Sequence, residues 1–151
     1  MELIKMPLSL GIRIVNILRE KNIEPRKNNS GPFKGMLSLE FTQEELDLIT
    51  KLEIENPGSK ELDGIEYLRN LEVLKITTIG RTAYEKSPAS ITDKDIKRVS
   101  KIKSLKSLTI DNQANISWLL LDDLQNLEEL CITRNSNLEE IKELSNVKRG
   151  K

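Results

Sequence analysis

Apolar residues recur along this chain in a fixed phrase: a leucine, two residues, a second leucine, one residue, then an isoleucine. Three copies are plain, at Leu71-Glu72-Val73-Leu74-Lys75-Ile76, Leu105-Lys106-Ser107-Leu108-Thr109-Ile110 and Leu127-Glu128-Glu129-Leu130-Cys131-Ile132. A fainter one, Ile49-Thr50-Lys51-Leu52-Glu53-Ile54, precedes them. Measured from the closing isoleucine, the steps are 22, 34 and 22 residues, so the middle step carries 12 extra. Alternation at the end of each phrase predicts a short strand with one buried face. A period in the low twenties predicts a solenoid, each strand stacking beside the last as a parallel neighbour.

Between the strands the spacing changes to three: Leu62, Ile65, Leu68, Leu71, then Ile96, Val99, Ile102, Leu105, then Leu138, Ile141, Leu144, Val147. Residues three apart eclipse one another on a 3₁₀ turn, which suits a tight return path better than a long α-helix. The last unit reaches Lys151 where its strand would begin, so the array is expected to end uncapped.

Upstream of the repeats the pattern is different. Leu8 to Lys21 has apolar residues at 10, 14, 17 and 18, with Ile12 and Val15, and Arg13, Asn16 and Arg19 opposite them. That is helical spacing. The turn-rich Pro25–Pro32 stretch predicts a mobile loop, and the alternating Met36–Phe41 a short edge strand. Thr42-Gln43-Glu44-Glu45 has the form of a capping box, opening a short helix through Leu46 and Ile49 that leads into the first repeat strand. The expectation is an α/β solenoid with short parallel strands, a 3₁₀ or short helical convex side, and a helical N-terminal cap. The cap takes residues 1–48 and the repeats 49–151, with an insertion at 80–91.

From Phe41 to Ile76 the chain resembles bacterial leucine-rich repeat proteins of the internalin type. The resemblance rests on F-T-Q-E-E-L-D-L-I-T-K-L-E-I and on L-D-G-I-E-Y-L-R-N-L-E-V-L-K-I, and is closest over Leu62–Leu71. It extends as a repeat pattern to about residue 147. It implies a helical cap, repeats of about 22 residues and 3₁₀ segments on the convex side. Such repeats usually carry Asn three residues after the last strand leucine. Here only Asn135 fills that slot, against Pro57, Ile79 and Gln113 elsewhere, so the curvature is expected to be less regular.

Composition narrows the function classes. Aromatics are 3% and charged residues 32% of 151 residues, so the core must be aliphatic. The chain has no histidine, which removes the usual neutral-pH base and the commonest metal ligand. Its single cysteine, Cys131, can form neither an intramolecular disulfide nor a thiolate zinc site alone. No phosphate-binding or dinucleotide fingerprint occurs. Asp111–Asn115 lacks the glycine and glutamate of a calcium loop. The acidic pairs Asp122-Asp123 and Glu139-Glu140 stand in polar contexts with no evident pocket. A non-enzymatic protein is expected, with no cofactor and no metal. With neither a signal peptide nor a membrane-length apolar stretch, the expected compartment is cytoplasmic, or the cell surface or exterior should the chain belong to a longer one.

Net charge is zero but banded: +4 over 1–36, −6 over 37–77, +5 over 78–110 and −3 over 111–151. Lys94, Lys97, Arg98, Lys101, Lys103 and Lys106 form a basic stretch over 94–106. It lacks interleaved aromatics and holds Asp93 and Asp95, which disfavours nucleic acid and favours a solvated convex surface. Trp118, in an apolar run, is assigned to the core or the convex packing.

The candidate contact surface is the concave strand face, the usual binding face of solenoids. Its positions are Lys51, Glu53 and Glu55; Val73, Lys75 and Thr77; Ser107, Thr109 and Asp111; Glu129, Cys131 and Thr133. The insertion adds Arg81, Tyr84 and Lys86, side chains favoured at interfaces and placed on a loop. The expected function is a protein–protein interaction module with a protein partner and no small-molecule substrate. The alternative is a capping or scaffold segment of a larger surface or secreted repeat protein.

Overall fold

The computed structural model describes residues 2–55, 61–77, 92–111 and 118–133, apart from the side chains of 118–120 and 133. The 80–91 insertion, the last three-spaced unit at 138–147, the Asn135 slot and the Trp118 side chain therefore lie outside the described residues.

The chain begins with strand β1 (Ile4–Pro7), passes directly into helix α1 (Leu8–Glu20) and returns as strand β2 (Ser38–Phe41), antiparallel to β1. Met6 stands opposite Leu39, and Ile4 opposite Phe41. This apolar side packs with Leu10, Ile14, Val15 and Leu18 of α1, which are all buried. Gly11 lets the helix come close, since a Cβ there would lie 3.0 Å from Leu39 Cβ. The helix is where its spacing predicts. β1 is an addition to the elements expected from the sequence. The turn-rich loop holds a local element and a tie to β2. Lys27–Asn29 forms a 3₁₀ turn, and buried Asn29 donates its side-chain amide to Glu40 O at 2.9 Å.

Helix α2 (Gln43–Leu46) opens with the expected capping box. Glu45 N–H donates to Thr42 Oγ1 at 3.1 Å, and Thr42 N–H to Glu45 Oε1 at 2.9 Å. Strands β3 (Lys51–Glu55), β4 (Val73–Thr77), β5 (Ser107–Asp111) and β6 (Glu129–Thr133) follow, pairing in sequence order as one parallel sheet. Leu52, Leu74, Leu108 and Leu130 stand in register across it, as do Ile54, Ile76, Ile110 and Ile132. The 12 extra residues between β4 and β5 leave that register intact.

The return paths use the three-residue spacing as expected. Leu62, Ile65, Leu68 and Leu71, with Ile96, Val99, Ile102 and Leu105, are at most 1% exposed. Ile65–Tyr67 and Trp118–Asp123 are 3₁₀ turns. The path between them is instead a short α-helix, α3 (Asp93–Val99). Local chemistry accounts for this: the Asp95 carboxylate reaches back to accept Thr92 N–H at 3.1 Å. Acids in the first turn and Lys97 and Arg98 in the last match the helix dipole.

Several contacts join the N-terminal elements to the first repeat. Gly64, at φ 89°, turns the chain into its 3₁₀ segment beside Met6, whose Sδ would lie 3.0 Å from any added Cβ. Arg13 of α1 donates to Glu55 O at 3.3 Å and to Glu61 Oε2 at 3.3 Å.

Candidate functional site

Strand alternation turns Leu and Ile inward and leaves the residues between them on the opposite face. The parallel register sorts these into three cross-strand rows. Lys51, Val73, Ser107 and Glu129 form the first; Glu53, Lys75, Thr109 and Cys131 the second; the third consists of two pairs, Glu55 with Thr77 and Asp111 with Thr133. Of the twelve strand positions singled out in the sequence, the eight in the first two rows thus run unbroken across all four strands. Arg81, Tyr84 and Lys86 lie outside the described residues.

This face is graded. On β3 and β4, Lys51, Glu53, Glu55 and Lys75 are exposed, and Lys75 Nζ approaches Glu53 Oε1 at 4.0 Å with both side chains half exposed. Such a pair contributes little to stability but sets a polar, charged half of the surface. On β5 and β6, Ser107, Thr109, Asp111 and Cys131 are smaller and half-buried, and only Glu129, at the start of β6, is exposed among the described side chains of this half. Cys131 is a thiol beside Thr109, and forms no disulfide. Hydroxyls and carboxylates at this spacing can accept and donate hydrogen bonds to a partner's backbone or polar side chains. Among the described residues, no group of three or more His, Cys, Asp or Glu could hold a metal ion.

The opposite side is occupied by internal pairs. Arg69 donates to both oxygens of Asp47, from Nε at 2.8 Å and Nη2 at 2.7 Å. This bidentate pair, more than the added Gln43 hydrogen bond, holds the Asp47 carboxyl below its ordinary range. Within the basic stretch, Arg98 is bound to Glu66 at 2.8 Å and lies 3.4 Å from Asp63. Lys103 donates to Ser100 O and Asp123 O. Lys106 lies 4.0 Å from Glu72. Several of the cations that suggest a polyanion surface are therefore engaged within the protein.

A set of polar residues that sequence spacing left unmarked ties successive repeats together. Asn70 donates to Asp47 O at 3.0 Å, Ser104 to Leu71 O at 2.7 Å, and Asn126 to Lys103 O at 2.9 Å. Each immediately precedes the first leucine of the repeated phrase, which was the available signal. With the usual Asn slot mostly vacant in the sequence, these side chains supply inter-repeat bonds of the same kind.

The arrangement is similar to that of a solved internalin from Listeria monocytogenes strain 4b F2365. The TM-score is 0.51 and the sequence identity 24%, over 95% of this chain and 42% of that one. The fold is leucine-rich-repeat-like. At this identity the likeness concerns the fold alone, and the chain spans less than half the length of that internalin. No protein-family model matches the chain, and a search of curated proteins gave no match.

Proposed function

We propose that the chain is a non-enzymatic protein-interaction module of the leucine-rich repeat class, binding a protein partner on the concave strand face, with 1–48 acting as the cap and 49–151 as the repeat array. The observation that carries this reading is the register: one face gathers Glu53, Lys75, Thr109 and Cys131 into a continuous polar row. The internalin-like fold supports it as a fold that presents such faces.

Size constrains the proposal. Four strands of five residues, about 4.8 Å apart and rising about 3.3 Å per residue, give a face of roughly 14 by 16 Å. That is a few hundred Å² at most, against about 800 Å² per partner in a standard interface. The face also has no aromatic anchor of the kind that supplies most interface energy. A stable complex therefore needs contacts beyond it, and Arg81, Tyr84 and Lys86 of the insertion are the proposed supplement.

The test is the double variant Lys75→Glu with Thr109→Arg, which reverses one charge and adds bulk in the central row. Affinity capture from the native host, quantified by mass spectrometry, should show at least one protein falling about tenfold or more, a loss of about 1.4 kcal/mol. Circular dichroism should be unchanged. Undiminished recovery of every captured protein would overturn the concave site. The second reading, a capping or scaffold segment of a larger surface protein, draws on the likeness to a chain matched over only 42% of its length. On that reading the same double variant changes no capture.

A further inference from the structure

The outer edge of β1 faces the first repeat across two open clefts of about 570 and 530 Å³, which share Lys5 and Tyr67. One follows the chain from Glu2 to Lys5; the other continues past Pro7 to Leu37 and across to Arg98. Leu8 N–H donates to Leu37 O at 3.1 Å, which fixes the parity of the antiparallel ladder. Counting back, Ile4 and Met6 turn their backbone groups toward β2, whereas Leu3, Lys5 and Pro7 turn theirs outward. Pro7 thus lacks its N–H on the side where no ladder bond is lost. Gly64 comes near Lys5 O, but no backbone bond joins them among the described residues. The result is an edge strand whose outward N–H and C=O groups have no strand beside them.

Two further observations fall on the same cleft. Leu37 is 90% exposed, although it shares the strand parity of buried Leu39 and Phe41, and Tyr67 is 48% exposed. These are two of the three exposed large apolar side chains among the described residues. An exposed tyrosine and leucine flanking one cleft are the anchors that the strand face lacks. The charge is also unbalanced. Lys5 and Arg98 line the clefts against Glu2, Asp63 and Glu66, and buried Asp95 adds a further carboxylate near Asp63. Arg98 is shared between Asp63 and Glu66, and Asp63 keeps a 36% exposed side chain.

We propose that this cleft receives an extended segment of a partner protein as a third strand on β1, with an apolar side chain between Leu37 and Tyr67 and a lysine or arginine facing Asp63. Backbone pairing supplies the affinity, and alternate side chains supply the choice of sequence. The surface is separate from the strand face and does not depend on that reading.

The probe is a library of random heptapeptides displayed on phage, selected on the immobilised full chain. Enriched peptides should carry a basic residue and an apolar residue in alternating register. Leu37→Asp should cut their capture about tenfold or more, because it removes an anchor side chain. Lys5→Pro removes one outward N–H without touching the β2 ladder, and should cut capture about fivefold to tenfold. Lys75→Glu should leave it unchanged. Leu37 is so exposed that Leu37→Asp keeps the fold, as circular dichroism will verify, and it decides the matter should Lys5→Pro perturb β1. No enrichment over an unrelated immobilised protein, or equal capture by wild type and Leu37→Asp, overturns the site. Enrichment of acidic peptides overturns the assigned charge of the occupant.

Discussion

Two aspartates of this chain respond to their surroundings in opposite senses, and the difference is one of desolvation against pairing. Asp95 is buried at the start of α3, and burial, more than any neighbour, pushes its carboxyl above the ordinary value of 3.8. Thr92 hydrogen bonds and the Arg98 charge pull it back, while Asp63 adds to the rise. For an acid whose folded value is raised, the ionised form is penalised only in the native state. The penalty is absent below the unfolded value and grows as pH rises through the folded one. Asp95→Asn should therefore gain on the wild type as pH climbs from about 4 toward neutrality, since Asn keeps an acceptor for Thr92. Urea midpoints of both proteins at several pH values will check this; a difference that does not vary with pH would refute it. Asp47 runs the other way. Its paired carboxylate stabilises the fold above the unfolded value, and that contribution is lost as pH falls through its lowered folded one. The sequence marks neither effect, because both depend on groups brought in from other turns.

Element boundaries were more legible. The strands, their register and the Thr42–Glu45 capping box follow from spacing alone, because a period of two and a period of three each leave a single way to bury leucine and isoleucine. α3 departs from the expected 3₁₀ path because Asp95 supplies a helix start that the apolar spacing does not encode. β1 and its cleft were hidden for another reason: Leu37, Tyr67 and Lys5 meet only through the folded chain, and exposure of a leucine against its strand parity leaves no trace in the sequence. For the strand face, alternation tells which side a residue faces and nothing of what it binds. The inter-repeat bonds were missed while being readable, as Asn70, Ser104 and Asn126 all precede the first leucine of their phrase. Asn70→Ala and Asn126→Ala should each lower unfolding free energy by about 0.5–1.5 kcal/mol, the net worth of an intramolecular hydrogen bond. Equilibrium urea denaturation measures it, and midpoints indistinguishable from wild type would show these bonds to be replaced by water at no cost.

At the scale of the whole molecule, the described core is a single cluster running from Met6, Leu10 and Ile14 through Leu52 and Leu74 to Leu108 and Leu130. Repeat arrays with weak coupling between units melt from one end, each unit contacting only its neighbours. Here Arg13 bonds Glu55 and Glu61, Gly64 packs on Met6, and each strand pairs in register with the next. The N-terminal elements and the first three repeat strands should therefore unfold together. Ile14 is fully buried in α1, so Ile14→Ala should cost about 2–5 kcal/mol through lost burial and the cavity left behind. If coupling is strong, native-state hydrogen exchange will show that loss in full at slow amides of β5, far along the sheet from the helix. If the repeats are independent, protection will fall in α1 and β3 while β5 keeps its wild-type value, and the N-terminal elements will have to be regarded as an attached unit rather than as the end of the core.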